Sequence, residues 1–171
     1  MTPQGPDAER PTIRPIELAD AEATRAIYNL EVLESTVTFD LVARTAEEQV
    51  AWIVDHSGSY PAIVAERGGE VVGFAGLSPY RPRPAYATTV ENSVYVRRDQ
   101  QGRGVGLALM EALVEVAADH GFHSVIARIV GGHDASIGLH QRVGFVEIGR
   151  EQEVGRKFGK WLDVVLMQRM L

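Results

Sequence analysis

Residues 101–106 read Gln-Gly-Arg-Gly-Val-Gly and lead directly into a helix-forming run. Glycines let the backbone approach a bound group closely, and the first N–H groups of a helix have no acceptor within it. Such a nest at the positive end of a helix dipole holds an anion, above all a phosphate, without needing a lysine. Two rival phosphate motifs fail on spacing: no lysine and Ser/Thr follow the last glycine, as a Walker loop requires. The dinucleotide fingerprint needs a glycine where Leu107 stands. What remains is Gln-x-x-Gly-x-Gly, which also fits a glycine-rich turn with no ligand. A second candidate group is Tyr80-Arg81-Pro82-Arg83-Pro84-Ala85-Tyr86. An arginine fork pairs both oxygens of a carboxylate, and prolines lower the ordering cost of a binding loop. Arg81 and then Arg83 are candidate carboxylate anchors; solvated loop charges are the plain alternative.

Composition narrows the chemistry. The chain contains no cysteine, which excludes disulfides, thiolate metal sites and a cysteine nucleophile. His56, His120 and His123 show no metal-ligand spacing with carboxylates, so no metal is expected. A net charge of −6 argues against a general nucleic-acid binder. No apolar run approaches the roughly 20 residues that span a bilayer. The expectation is a cytoplasmic protein with neither nucleic-acid nor membrane partners. Residues 1–11, with Pro3, Pro6 and Pro11, read as a flexible tail, and residues 12–171 as one domain.

The elements that must position these groups follow from periodicity. Residues 13–16 read as a first strand. Asp20 is placed to cap a helix whose Ala23, Ala26, Ile27 and Leu30 share one face. Thr45 and Glu48 fit a capping box at the start of a second helix, with 35–41 as a loop between the two. Residues 60–66 and 70–77 form a hairpin around Gly68-Gly69, 78–87 a loop, and 88–96 a strand. Beyond the glycine cluster comes a long helix with Met110, Leu113, Val114 and Ala117 on its core face and Gly121 as C-cap. A strand at 124–130, a short helix from Asp134 to near Gly144, and strands at 145–154 and 161–170 joined by a turn at 155–160 complete the chain. The order β-α-α-β-β-β-α-β-α-β-β indicates an α/β or α+β domain with a mixed sheet. Tyr28 and Trp161 read as core or interface residues.

With these motifs in this order, the sequence resembles the GCN5-related N-acetyltransferase superfamily. The resemblance runs from about Ile13 to the C-terminus and is nearest to the phosphinothricin and methionine sulfone/sulfoximine branch. It is carried by Ala26-Ile27-Tyr28-Asn29, Ser35-Thr36-Val37-Thr38-Phe39, Thr89-Val90-Glu91-Asn92-Ser93-Val94-Tyr95-Val96, the glycine loop, Leu139-His140-Gln141-Arg142-Val143-Gly144-Phe145, and the segment from Gly155 to Asp163. It implies a mixed, mostly antiparallel central sheet flanked by helices and splayed at the cofactor site, with acetyl-coenzyme A as the acyl donor. Val94, Tyr95 and Val96 would face the pantetheine arm, one backbone N–H polarising the thioester carbonyl. Gln101, Gly102, Arg103, Gly104, Val105 and Gly106 would hold the pyrophosphate.

Further roles follow from the same resemblance. Ser136 matches a cofactor-contacting serine, whereas His133 stands where relatives often carry Asn. His140 occupies a position that is Tyr in many members and His in the nearer branch; it implies a proton relay or a donor to the leaving thiolate, with a packed helical histidine as the alternative. Glu91 is the first candidate for general base, since a free α-amine with a reference pKa of about 7.7–8.0 is already partly neutral, with a structural carboxylate near the strand start as the alternative. Pro84, Ala85 and Tyr86 match acceptor-contacting positions, Phe39 and Phe158 would form apolar walls, and the turn carrying Lys157 would close over the acceptor near a dimer contact. The implied reaction is direct transfer of acetyl to the amine of a small amino-acid-like acceptor by a homodimer. A peptide or protein amine, or an aminoglycoside, is the alternative acceptor, and a non-catalytic acyl-coenzyme A sensor the alternative class.

Overall fold

The computed structural model describes residues 10–171. The tail expected at 1–11 lies mostly outside them, but its last two residues belong to the packed body. Arg10 pairs with Glu111 at 2.8 Å, and Pro11 is buried. The elements are β1 (Thr12–Pro15), α1 (Ala21–Glu34), α2 (Ala46–Asp55), β2 (Ala62–Arg67), β3 (Glu70–Pro79), β4 (Thr89–Val96), α3 (Val105–Asp119), β5 (Ser124–Val130), α4 (Asp134–Arg142), β6 (Val146–Lys157) and β7 (Lys160–Met170). The strands form one seven-stranded sheet in the order β1-β2-β3-β4-β5-β7-β6. Every neighbouring pair is antiparallel except β4 and β5. The α/β class and the mixed, mostly antiparallel sheet expected from the sequence are what the chain adopts.

Each sheet face has its own core. The helix α3 places Val105, Leu109, Leu113 and Ala117 against Val72, Leu77, Val90, Ala127 and Met167. Fully burying each large aliphatic side chain there contributes about 1.5–3 kcal/mol. On the other face, Ile27, Tyr28 and Val32 of α1 and Ile53 of α2 pack on Val64 and Phe74. Because strand side chains alternate, β4 sends Val90, Val94 and Val96 toward α3 and Tyr95 toward α1.

Several expected boundaries shift. Asp20 makes no side-chain cap bond to α1; its carboxylate accepts from the Glu17 N–H and from both terminal nitrogens of Arg14, each at 2.8 Å. That pairing lowers the pKa of the Asp20 carboxyl, with the Arg14 guanidinium as the main cause. The packed face of α1 runs through Thr24, Ile27, Tyr28 and Glu31, while Leu30 is exposed. The capping box of Thr45 and Glu48 forms as expected. The last hairpin is tighter than the turn expected at 155–160. Lys157 and Lys160 pair, and only Phe158 (φ 50°) and Gly159 (φ 73°) make the turn, a two-residue loop with positive φ at both positions.

Candidate active site

The sheet opens where its one parallel pair runs out. β4 and β5 are in register from Thr89 opposite Ser124 to Glu91 opposite Ile126, and no further. Yet β4 continues to Val96 and β5 to Val130. From Asn92 onward, the β5-facing edge of β4 has lost its strand partner, while its other edge stays paired to β3 up to Val96 opposite Gly73. A cavity of about 1170 Å³ fills this divergence, bounded by both strands, the start of α3 and the inner side of α4. It exceeds the roughly 300–1,000 Å³ of an ordinary small-molecule pocket, so it has room for two substrates at once.

The glycine loop closes one end. Gly102 (φ 72°) and Gly104 (φ 81°) both occupy the left-handed region, and Gly104 is the residue from which α3 departs. Gln101, Gly102, Gly104 and Gly106 line the cavity, whereas Val105 is buried in the core behind it. A Cβ on Gly106 would sit 3.2 Å from Leu139, so the glycine also allows α4 to come close. Gln101 donates its side-chain N–H to the Val96 carbonyl at 3.1 Å, tying the loop to the end of β4. The Arg103 carbonyl accepts from Arg67 at 3.2 Å. The basic residues of the connecting loop are engaged by acids: Arg97 with Asp99 and Glu70, Arg98 with Glu31 and Glu34. The predicted donor-side residues Val94, Tyr95, Val96, His133 and Ser136 also line the cavity. His133 is half-buried at the start of α4, and burial pushes its pKa down.

Glu91 and His140 flank β4. His140 is 2% exposed and its ring is fully engaged: Nδ1 lies 2.8 Å from the Ser136 carbonyl and Nε2 lies 3.0 Å from Nδ2 of Asn92. Burial lowers its pKa. Glu91, on the opposite side of the strand, is pushed the other way. Burial raises its pKa, the cation of Arg128 opposes the rise, and Glu151 adds to it. Arg128 donates to Glu151 at 2.7 Å and lines the cavity. A half-buried carboxylate with raised basicity beside an opened strand edge suits proton abstraction.

The expected acceptor residues divide into two groups. Phe39 lines the cavity with Val37 and Thr38. Lys157 is buried, and its ammonium donates to the Thr38 carbonyl at 2.9 Å; it ties the 35–41 loop to β6 and is not among the cavity-lining residues. Gly155 lets the Phe39 ring lie on β6, because a Cβ there would be 2.3 Å from the ring. Phe158 sits exposed in the turn, outside the lining. Arg81, Arg83, Pro84, Ala85 and Tyr86 form an exposed loop with a single 3-10 turn, also outside the lining. Arg81 stacks over Tyr80 at 5.0 Å and Tyr86 at 5.7 Å. Sequence reasoning missed Arg128 and Glu31 on the lining, and it singled out no role for Asn92. Arg128 interrupts the apolar run of β5, the one available signal for it, whereas Asn92 stands between Glu91 and Ser93 in a polar stretch that gives none. Among the described residues, no cluster of three or more His, Asp or Glu is placed to hold a metal.

Residues 24–145 match the profile of the Acetyltransferase (GNAT) family. The chain is 42% identical over 159 residues to an L-methionine sulfoximine/L-methionine sulfone acetyltransferase of Pseudomonas aeruginosa, covering 92% of each. A crystal structure of a phosphinothricin acetyltransferase from Sinorhizobium meliloti in complex with acetyl-coenzyme A superposes with a TM-score of 0.92 at 36% identity, covering 95% of this chain and 89% of that one. A ribosomal-protein-alanine N-acetyltransferase from Brucella melitensis does so with a TM-score of 0.92 at 38% identity, covering 94% and 99%.

Proposed function

The chain belongs to the acetyltransferase (GNAT) family, with acetyl-coenzyme A as its acyl donor, and we propose that its acceptor is the amine of a small amino-acid-like molecule of the phosphinothricin or methionine sulfoximine/sulfone type. The observation that supports this acceptor most strongly is the 42% identity, over 92% of both chains, with the methionine sulfoximine/sulfone enzyme. In this reading Gln101, Gly102, Arg103, Gly104, Val105 and Gly106 present backbone N–H groups to the pyrophosphate, and the unpaired edge of β4 at Val94, Tyr95 and Val96 takes the pantetheine arm. His133 and Ser136 border that arm from α4. The donor's thioester then lies beside Glu91, which takes the proton as the acceptor nitrogen attacks the carbonyl carbon. The C–S bond breaks, the amide forms, and the thiolate of coenzyme A is reprotonated, with His140 contributing from the far side of β4. Holding both substrates in one cavity supplies much of the acceleration.

On the acceptor side, Arg81 and Arg83 anchor the carboxylate from the loop before β4, with Pro84, Ala85 and Tyr86 shaping it and Phe39 and Phe158 as apolar walls. Lys157 contributes by holding the Phe39 loop in place. The domain works as a cytoplasmic homodimer. Its β6–β7 ribbon exposes Val146, Ile148, Val154 and Trp161, and β6 is an edge strand, the kind of apolar surface and open edge that a second copy covers.

A second reading, acetylation of a peptide or protein N-terminus, is favoured by the similarity to the ribosomal-protein-alanine enzyme. Coenzyme A release measured against phosphinothricin, methionine sulfoximine, methionine sulfone, ordinary amino acids, an alanine-starting peptide and an aminoglycoside separates the two. Turnover with the sulfone and sulfoximine compounds is the expected result. Turnover confined to the peptide overturns the small-acceptor reading.

A further inference from the structure

Asn92 is 9% exposed and carries an Oδ1 atom that is buried without a hydrogen-bond partner among the described residues. A buried acceptor left unpaired has lost its water without a replacement, so its retention needs a reason. The same amide touches His140 and approaches the Met110 sulfur at 3.6 Å. The geometry of His140 settles which way round this contact works. A backbone carbonyl only accepts, so Nδ1, 2.8 Å from the Ser136 oxygen, must carry a hydrogen. In a neutral ring Nε2 is then the bare nitrogen, and the Asn92 NH₂ donates to it. The unpaired Oδ1 is the consequence.

A protonated ring has the opposite need. Both nitrogens would donate, Nδ1 still to Ser136, and Nε2 would find an acceptor only if the Asn92 amide turned to present Oδ1. We propose that Asn92 is the positioning residue for His140: its amide locks the ring as the neutral Nδ1–H tautomer and is the group that must turn before Nε2 can hold a proton. The field around the ring fits this role. From β4 the ring faces the neutral Asn92, behind which lies Met110 of α3, and it packs edge-on to Phe145 at 5.1 Å. Burial opposes a positive charge on the ring, and so does His133, the titratable residue just before α4. Among the described residues no carboxylate is hydrogen-bonded to the ring, whose partners are Asn92 and Ser136, so Asn92 decides whether an imidazolium can form.

The inference rests on the acetyltransferase reading only for its kinetic consequence, so two independent readouts are used. The first is ¹⁵N NMR of the histidine rings in the full wild-type chain across pH 5–9. The expected result is an Nδ1-protonated His140 with a bare Nε2 at pH 7; an Nε2-protonated tautomer overturns the proposal whatever the acceptor proves to be. Asn92→Asp places a carboxylate against Nε2, which should raise the pKa of His140 by about 1–3 units and, since His140 donates its proton, carry the basic limb of kcat upward with it. An unchanged titration of His140 in that variant overturns the proposal. Asn92→Leu, which keeps the bulk and loses both hydrogen-bonding groups, should lower kcat about tenfold with both Michaelis constants within twofold, a change of about 1.4 kcal/mol in the barrier. Equal kcat in Asn92→Leu and wild type overturns it as well. If either variant fails to fold, the wild-type tautomer still decides. If no tested acceptor turns over, the acceptor reading fails, and the tautomer and its response to Asn92→Asp still stand or fall by NMR.

Discussion

In the proposed reading the cavity has a donor half and an acceptor half, and the two are built in different ways. The donor half is made largely of backbone: an unpaired strand edge from Asn92 to Val96, left-handed glycines at 102 and 104, and the first turn of α3. These backbone parts lie close together in the sequence, between Asn92 and the first turn of α3, with His133 and Ser136 bordering them from farther along the chain. The acceptor half is made of side chains brought from far apart: Phe39 laid on Gly155, the Lys157 ammonium on the Thr38 carbonyl, and Arg128 on Glu151 beside Glu91. A pyrophosphate and a pantetheine arm are the same in every turnover, so backbone groups in fixed geometry serve them. An acceptor's identity is read by side chains, and loops are where side chains change without cost to the core.

This contrast breaks if a change in one half moves the other substrate's constant. The largest effect is expected where the halves meet. Glu91→Gln should lower kcat by about a hundredfold or more, the usual worth of general base catalysis, with little change in the donor constant. Because burial raises the pKa of Glu91, the carboxylate form gains as pH rises through a value above 4.5, and the acid limb of kcat/KM should lie above that of a free glutamate. In Glu91→Gln that limb should disappear from the pH–rate profile.

Next comes Gly104→Ala, which forces a Cβ to φ 81° with no atom within 4 Å to clash, so its cost is conformational, about 1–2 kcal/mol. The constant for acetyl-coenzyme A should rise about tenfold while that for the acceptor holds. Gly155→Ala should do the reverse. A Cβ 2.3 Å from the Phe39 ring displaces that ring, and the acceptor constant should rise by about fivefold to tenfold with the donor constant unchanged. The smallest shift is expected from Arg81→Ala, because Arg81 is exposed and already stacked on two tyrosines. A rise of about threefold to fivefold in the constant for an amino-acid acceptor, and none for an acceptor lacking the carboxylate, would keep it as an anchor. Steady-state kinetics with each substrate varied in turn checks all three.

Legibility in the sequence followed the same division. The capping box at Thr45 and Glu48, the Gly68-Gly69 hairpin, the glycine loop and the core face of α3 are local patterns, and the structure reproduces them. Asp20 was misread because its position suits a helix cap, but Arg14, six residues away along the chain and paired through β1, outcompetes the helix N–H groups for its carboxylate. Leu30 was misread because an apolar residue at helical spacing need not face the core. Here Thr24 and Glu31 are buried in its place, satisfied by the Asp20 carbonyl and by Arg98. The turn at 155–160 looked wide because Gly155 suggested a loop. In the sheet that glycine is a strand position that admits an aromatic ring.

The sequence by itself determined the class of fold and the glycine loop that opens α3, and it singled out the candidate acid–base residues, because these depend on residue type at neighbouring positions: positive φ on glycine, helix period on α3, alternation on β5. Only the tertiary structure decided where the strands part, that Asn92 sits against His140 across 48 residues, and that Lys157 reaches Thr38 across 119. Such meetings are set by sheet register and by the packing of α1, α3 and α4 on its two faces. A buried amide or ammonium takes the nearest partner that packing provides, and the spacing of residues along the chain carries no record of which partner that is.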